Sequence, residues 1–141
     1  MNLLYGQDDF VRGWVAQRIG NPKFSFSTTI GVTRGDELIA GIVIHNYIES
    51  PIGEPIMCEI SMAATDKRWA TRPVMRAVFG YCFNQLGVKR VQVCTPVESK
   101  NVRIVNEKLG FKYEGTARQA HYLGGDIDVL SMLRDECKWI S

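Results

Sequence analysis

The stretch MCEISMAATDKRWATRPVMRAVFGYCFNQLG, Met57 to Gly87, decides the fold. Ile56 to Met62 reads as a strand, Lys67 to Arg72 as a short basic loop, and the remainder as a long amphipathic helix. Thr71 is the candidate N-cap, and Pro73 is tolerated in a first turn, where its missing N–H costs little. Val74, Val78, Cys82 and Leu86, with Met75, Phe79 and Phe83 beside them, give the helix a broad apolar face for packing against a sheet. Gly87 ends it. A strand that feeds a helix through a loop aims backbone N–H groups and the positive end of the helix dipole at one point, which suits an anion. Lys67, Arg68 and Arg72 crowd that point.

Working outward, Lys89 to Cys94 forms the next strand, and a strand–helix–strand unit of this length implies a parallel pair joined by a right-handed crossover. Upstream, Asn2 to Tyr5 reads as a first strand. A helix follows from the Gln7-Asp8-Asp9 start to about Ile19, with Phe10, Trp14 and Val15 on one side and Val11 and Ile19 flanking them. Phe24 to Val32 and Leu38 to Ile48 form an antiparallel pair about Arg34-Gly35-Asp36, and Ser50 to Pro55 is a second turn. Downstream, a helix from Ser99 or Asn101 to Leu109 shows Val102, Val105 and Leu109 on one face, and Gly110 closes it. Phe111 to Ala117 and Ile127 to Leu133 are the last strands. The expected fold is a single α/β domain over residues 1–141: a mixed, mostly antiparallel twisted sheet with helices on both faces and one parallel pair near its middle.

With 141 residues and 45% hydrophobic content, the chain can bury one core of ordinary size. A net charge of +2 gives no bulk drive toward nucleic acid, although a local patch could still serve one. Cys58, Cys82, Cys94 and Cys137 contain no CxxC pair and read as buried reduced thiols rather than a zinc site. No basic leader and no long apolar run stands in the sequence, so a cytoplasmic protein without membrane attachment is expected.

The segment EKLGFKYEGTARQAHYLGGDIDVLSML, Glu107 to Leu133, resembles the C-terminal half of the GNAT superfamily of N-acetyltransferases. It looks closest to the branch that acetylates protein N-termini, and the order of elements agrees over nearly the whole chain. The resemblance implies the GNAT fold, acetyl-CoA as co-substrate, and a gap between the fourth and fifth strands that holds the pantetheine arm. It gives Ile60, Ser61 and Met62 backbone roles on one lip of that gap, with Cys94, Thr95 and Pro96 on the other.

The sequence departs from the family at the diphosphate loop, where the family has R/Q-x-x-G-x-G/A so that glycine N–H groups can approach the phosphates. Between Ala64 and Pro73 there is no glycine. One account has Lys67, Arg68 and Arg72 supply charge in place of that cradle, with Thr71 at the helix start. The other has a fold without CoA binding, whose basic loop is a solvated surface or meets another anion, including nucleic acid. The family's asparagine in the following helix start falls on Ser99, with Asn101 two positions later, and the tyrosine that some members use as general acid falls on Asn106.

For chemistry, acyl transfer to an amine needs a base, a donor to the thioester carbonyl and an acid for the leaving thiol. Glu59 is the candidate base by resemblance, and Ser61 shares its strand face. His45 lies on a strand whose equivalent in the resembling family borders the acceptor cleft, which makes it a second candidate base. Candidate acceptor contacts are Tyr47, Arg118, His121, Tyr122 and Asp128; Asp128 could receive a substrate amine or pair with Arg118. The implied acceptor is a small-molecule or peptide amine. No Ser/His/Asp triad, zinc spacing or P-loop supports another reaction class. The chain is also similar to GNAT-like proteins of bacteriophage, which keeps a structural or nucleic-acid role as the alternative. Trp139 and Ile140 either dock on a neighbouring copy or fold back over the sheet, so monomer and homodimer both stay open.

Overall fold

A computed structural model describes residues 1–24 and 26–140. In chain order the elements are β1 (Asn2–Leu4), α1 (Asp8–Arg18), β2 (Thr28–Arg34), β3 (Glu37–Glu49), β4 (Pro55–Ala64), α2 (Arg72–Gly80), β5 (Arg90–Pro96), α3 (Lys100–Leu109), β6 (Lys112–Ala117) and β7 (Ile127–Leu133). A short 3₁₀ turn, Lys67–Trp69, precedes α2, and π-helical turns over Tyr81–Leu86 continue it. The seven strands form one sheet in the order β1-β2-β3-β4-β5-β7-β6, in which β4 and β5 are parallel and every other pair is antiparallel. This is the expected mixed sheet, with β2 beginning later than the sequence suggests. Within the stretch read as the start of that strand, Ser25 lies outside the described residues.

Alternation sorts the strand residues onto two faces. Ile42, Ile44, Cys58, Ile60, Val91, Val93, Leu130 and Met132 pack with Val74, Met75, Val78, Phe79, Cys82 and Phe83 of the α2 segment in the main core. Burying a large side chain of this kind contributes about 1.5–3 kcal/mol, so this face holds most of the fold together. Thr71 caps α2 by accepting from Val74 N, and Gly87 ends the segment with a left-handed φ of 78°, as their sequence positions suggest.

On the opposite face α1 lies across β2, β3 and β4, and its buried stripe is Val11 and Val15. Phe10 is exposed, which corrects the expected stripe by one position around the helix. The reason lies beneath: Gly31 and Gly41 are directly paired across β2 and β3, and Val11 and Val15 sit over these bare positions. α3 also differs from its sequence pattern. Leu109 and Asn106 are buried, whereas Val102 and Val105 stay half exposed.

The four cysteines are free thiols. Among the described residues no helix is long and apolar enough to cross a membrane, and no cluster of side chains could hold a metal. Of the two arrangements open for the C-terminal residues, the chain adopts the folded-back one. Trp139 and Ile140 pack against the main core, and Trp139 Nε1 donates to the Leu109 carbonyl at 2.8 Å.

Candidate functional site

The central parallel pair is short. Met57, Cys58 and Glu59 pair with Arg90, Val91 and Gln92, and the register then stops, although β4 runs on to Ala64 and β5 to Pro96. Both strands stay paired on their outer sides, β4 to β3 as far as Ala64 and β5 to β7 as far as Pro96. Ile60, Ser61 and Met62 therefore face Cys94, Thr95 and Pro96 across a fork with no strand pairing between them. Two edges of backbone donors and acceptors opening on one gap form an acceptor for an extended polar ligand, by the same logic that lets a peptide add to a sheet edge.

At the base of the fork, on the face that carries α1, a polar cluster spans three strands. Glu59 accepts from Gln92 Nε2 at 2.9 Å and from Asn46 Nδ2 at 3.4 Å, both on Oε1. Its Oε2 lies 3.8 Å from His45 Nε2, and the Glu59 side chain is 14% exposed. His45 Nε2 is also 2.8 Å from Ser61 Oγ. Register explains these meetings: His45 is the cross-strand partner of Glu59, and Ser61 lies two residues further along the same face of β4. The Asn46 contact needs a bulge. Between His45 and Ile48 the β3 register slips, and Asn46 takes a left-handed φ of 50°.

The arrangement is no hydrolytic triad. In a triad the hydroxyl and the acid bind opposite ring nitrogens of the histidine, but here Ser61 and Glu59 both approach Nε2. Burial holds His45 below its ordinary pKa, against the opposing pull of the Glu59 charge, and the Phe24 ring stands edge-on to the imidazole at 4.9 Å. In the tautomer with its proton on Nε2, a neutral imidazole donates to Ser61 Oγ and leaves the Ser61 proton free to point into the fork, while Glu59 Oε2, at 3.8 Å, is not hydrogen-bonded to the ring. Cys94 shares the face of Gln92, and its thiol is pushed up to about 12 by burial first and by the Glu59 charge second. A thiol in that range is not a nucleophile near neutral pH.

The basic loop is arranged around Asp66, to which sequence reasoning gave no role. The Asp66 side chain accepts from the backbone N–H of Arg68 and from its guanidinium, and also pairs with Arg34. These donors, with the Arg68 side chain foremost, hold the Asp66 carboxyl well below the usual carboxylate range. The N–H groups of Trp69, Thr71 and Val74 are occupied by the Asp66 carbonyl, the Trp69 carbonyl and the Thr71 hydroxyl. With Arg68 N–H, these are four of the loop's donors already turned inward rather than toward a ligand. Arg72 lies over the Trp139 ring at 5.5 Å, and Lys67 and Arg68 stand exposed at the rim. An anion approaching this loop would meet the exposed Lys67 and Arg68 side chains.

The expected acceptor residues separate. His121 and Tyr122 lie in the β6–β7 loop with Arg118, and this loop closes against the end of α1 through the Tyr122 hydroxyl, which donates to the Ile19 carbonyl. Tyr47 is exposed just past the bulge. Asp128 points to the other face of the sheet, with Leu130 and Met132. It accepts from Thr116 Oγ1 at 2.9 Å and pairs with Arg103 of α3 at 3.7 Å, not with Arg118. Ser99 makes no capping bond, and Asn101 is exposed at the start of α3, beyond the end of β5. Besides Asp66, Gln92 escaped the sequence reading, and Thr95 was expected to act through its backbone alone. Gln92 touches Glu59, and its signal was a polar residue two positions before Cys94 in an otherwise apolar strand. Thr95, buried on the α2 side of the fork, has a hydroxyl without a partner among the described residues.

No family model matches the chain. Over 64 residues it is 36% identical to a protein of Bacillus subtilis (strain 168) described as a putative ribosomal N-acetyltransferase, YdaF; the match covers 43% of this chain and 35% of that protein, so the chain spans about a third of the length of this curated relative. Among solved structures, a variant of the spermidine N-acetyltransferase SpeG from Vibrio cholerae superposes with a TM-score of 0.71 at 14% identity, covering 95% of this chain and 94% of that one. An acetyltransferase of the GNAT family from Streptococcus pneumoniae gives 0.69 at 8% identity, covering 94% and 98%. A probable acetyltransferase gives 0.64 at 23% identity, covering 91% and 70%. The chain has the GNAT fold.

Proposed function

We propose that this chain is an N-acyltransferase that moves an acetyl or related acyl group from a CoA thioester to a primary amine by direct attack. The observation that carries the reading is the fork: β4 and β5 part after Glu59 and Gln92, and a largely buried carboxylate, an imidazole and a hydroxyl stand at the point of parting. The fold it shares with acetyltransferases of known structure, and the curated relative, support the same reaction class.

An acyl-CoA supplies an activated carbonyl and a good leaving group. This chain's own residues then have three tasks. The edges at Ile60 to Met62 and at Cys94 to Pro96 align the thioester with the fork. Glu59 takes the proton of the incoming amine at Oε2, since Oε1 is occupied by Gln92 and Asn46. Ser61, oriented by His45, offers a hydroxyl proton toward the reacting atoms. Cys94, protonated at working pH, does not carry the acyl group, which favours direct transfer over an acyl-enzyme. At the rim, Lys67 and Arg68 meet the diphosphate through side-chain charge, with Arg72, Thr71, Ser99 and Asn101 bordering the mouth. The Arg68 end of its pair with Asp66 is exposed and screened by solvent, so a turn of Arg68 toward the diphosphate is opposed only in part.

The acceptor is a small-molecule or peptide amine that enters on the α1 face, between Phe24, Tyr47 and the His121–Tyr122 loop. Spermidine is a first probe, because a neighbour in fold acts on it. The protein acts in a soluble compartment. The test pairs two measurements: a rise in melting temperature with acetyl-CoA, and acceptor-dependent release of CoA thiol with spermidine and with a peptide bearing a free α-amine. No thermal shift at saturating acetyl-CoA would remove the transferase reading.

A further inference from the structure

We propose that Gln92 is a positioning residue that holds Glu59 in the orientation needed to accept a proton, and that Arg90 and Glu114 act as a clamp fixing Gln92. This rests on Glu59 serving as the base in the transferase reading above.

The geometry is a directed chain across three strands. Gln92 Nε2 donates to Glu59 Oε1 at 2.9 Å. A side-chain amide can present either end, and Glu59, an acceptor, needs the nitrogen. The choice is made by Arg90, whose NH2 donates to Gln92 Oε1 at 3.0 Å and so turns the amide nitrogen toward Glu59. Arg90 is itself held by both oxygens of Glu114 on β6, at 2.9 and 2.6 Å, in the planar fork geometry that only a guanidinium provides. Arg90 side-chain exposure is 24% and that of Glu114 is 44%, so the clamp reaches from solvent to the fork.

Since a guanidinium does not give up its proton, this chain is no proton wire. Its effect is mechanical and electrostatic. It pins Oε1 and leaves Oε2 as the free oxygen beside His45. Without Gln92 the carboxylate can rotate, and a displacement of about 1 Å in a reacting group costs up to roughly a hundredfold in rate. The charged or titratable groups around Glu59 are His45 on β3 and Cys94 and Arg90 on β5, with Glu114 behind Arg90 on β6.

The experiment is a double-mutant cycle with a second, activity-independent readout. Q92L in the parent background is expected to lower kcat by about ten- to a hundredfold, with the Kd for acetyl-CoA and the melting temperature little changed. In an E59Q background the same change is expected to have almost no effect, because the group it positions is gone. R90M should show a smaller loss of the same kind, and R90K should restore only part of it, since an ammonium cannot reproduce the fork. Equal losses from Q92L in both backgrounds would overturn the proposal. Separately, the Glu59 carboxyl is titrated by ¹³C NMR in the parent and in Q92L; loss of a donor to the ionised carboxylate is expected to raise the midpoint. An unmoved midpoint would overturn the positioning role. If the protein transfers no acyl group to either probe amine, the transferase reading fails by itself, and the titration still decides whether Gln92 governs Glu59.

Discussion

Replacing Gly41 with alanine tests how α1 is seated on the sheet, and through it how the α1 face beside the fork is walled. A Cβ at Gly41 would lie 2.6 Å from Val15 Cγ2 and 3.0 Å from Val11 Cγ1. Carbon atoms in good contact sit about 3.5–4.0 Å apart, so the helix must lift by about 1 Å. Val15 cannot swing aside, because a β-branched side chain in a helix has one strongly preferred rotamer. Overpacking of this kind costs about 1–3 kcal/mol. Against it stands about 0.4–1 kcal/mol from the reduced freedom of the unfolded chain when glycine becomes alanine. The net expectation is a destabilisation of about 1–2 kcal/mol. For 141 residues the unfolding entropy is roughly 0.3 kcal/mol/K, which places the fall in Tm at about 3–7 °C. Urea denaturation gives the energy and thermal denaturation the shift. V15A in the same chain supplies the control: alone it opens a cavity, but combined with G41A it removes the clash, so the two should be less harmful together than their sum by about 1 kcal/mol. A G41A protein as stable as its parent, or strict additivity with V15A, would show that the helix does not rest on this glycine.

Other perturbations address the site. T95V removes a buried hydroxyl that has no partner among the described residues, keeps the shape, and is expected to stabilise the protein by about 1 kcal/mol in urea; a loss of stability would show that the hydroxyl is satisfied by a bound water. Because burial lowers the His45 pKa in the fold from its ordinary 6.5, the unfolded chain takes up that proton first as pH falls, so stability present above pH 6.5 is lost on acidification; the part of the decline due to this group should vanish in H45Q, and identical pH profiles would contradict the assignment. Y122F releases the clasp between the β6–β7 loop and the end of α1, and faster hydrogen exchange at 119–125 is the expected result, with unchanged exchange refuting the clasp. R68A should weaken acetyl-CoA several-fold and flatten the salt dependence of binding, whereas an unaltered affinity would mean that Arg68 only closes the loop on Asp66.

Much of this molecule is written locally. Periodicity gives the order of elements, Thr71 and Gly87 mark the ends of the segment after the loop by their capping chemistry, and two-residue alternation places Glu59 and Ser61 on one face of β4. The absence of glycine from the loop is likewise a property of the sequence, and it fixes that any diphosphate contact there must come largely from side chains. What only the tertiary structure decides is where strands stop pairing and which side chains meet across them. Parallel register between β4 and β5 ends at Glu59 and Gln92 because each strand follows its outer neighbour beyond that point. His45 comes from β3, Gln92 and Arg90 from β5 and Glu114 from β6, and their meeting depends on register, as the Asn46 contact depends on a bulge that no local pattern announces. The same holds for Asp128, whose parity on β7 sends it to Arg103 on the far face, and for Arg72, which the returning C-terminal segment places over Trp139. Local sequence fixes conformation because its causes act within a turn or two of chain; the meeting of distant side chains is fixed only once the sheet has chosen its register.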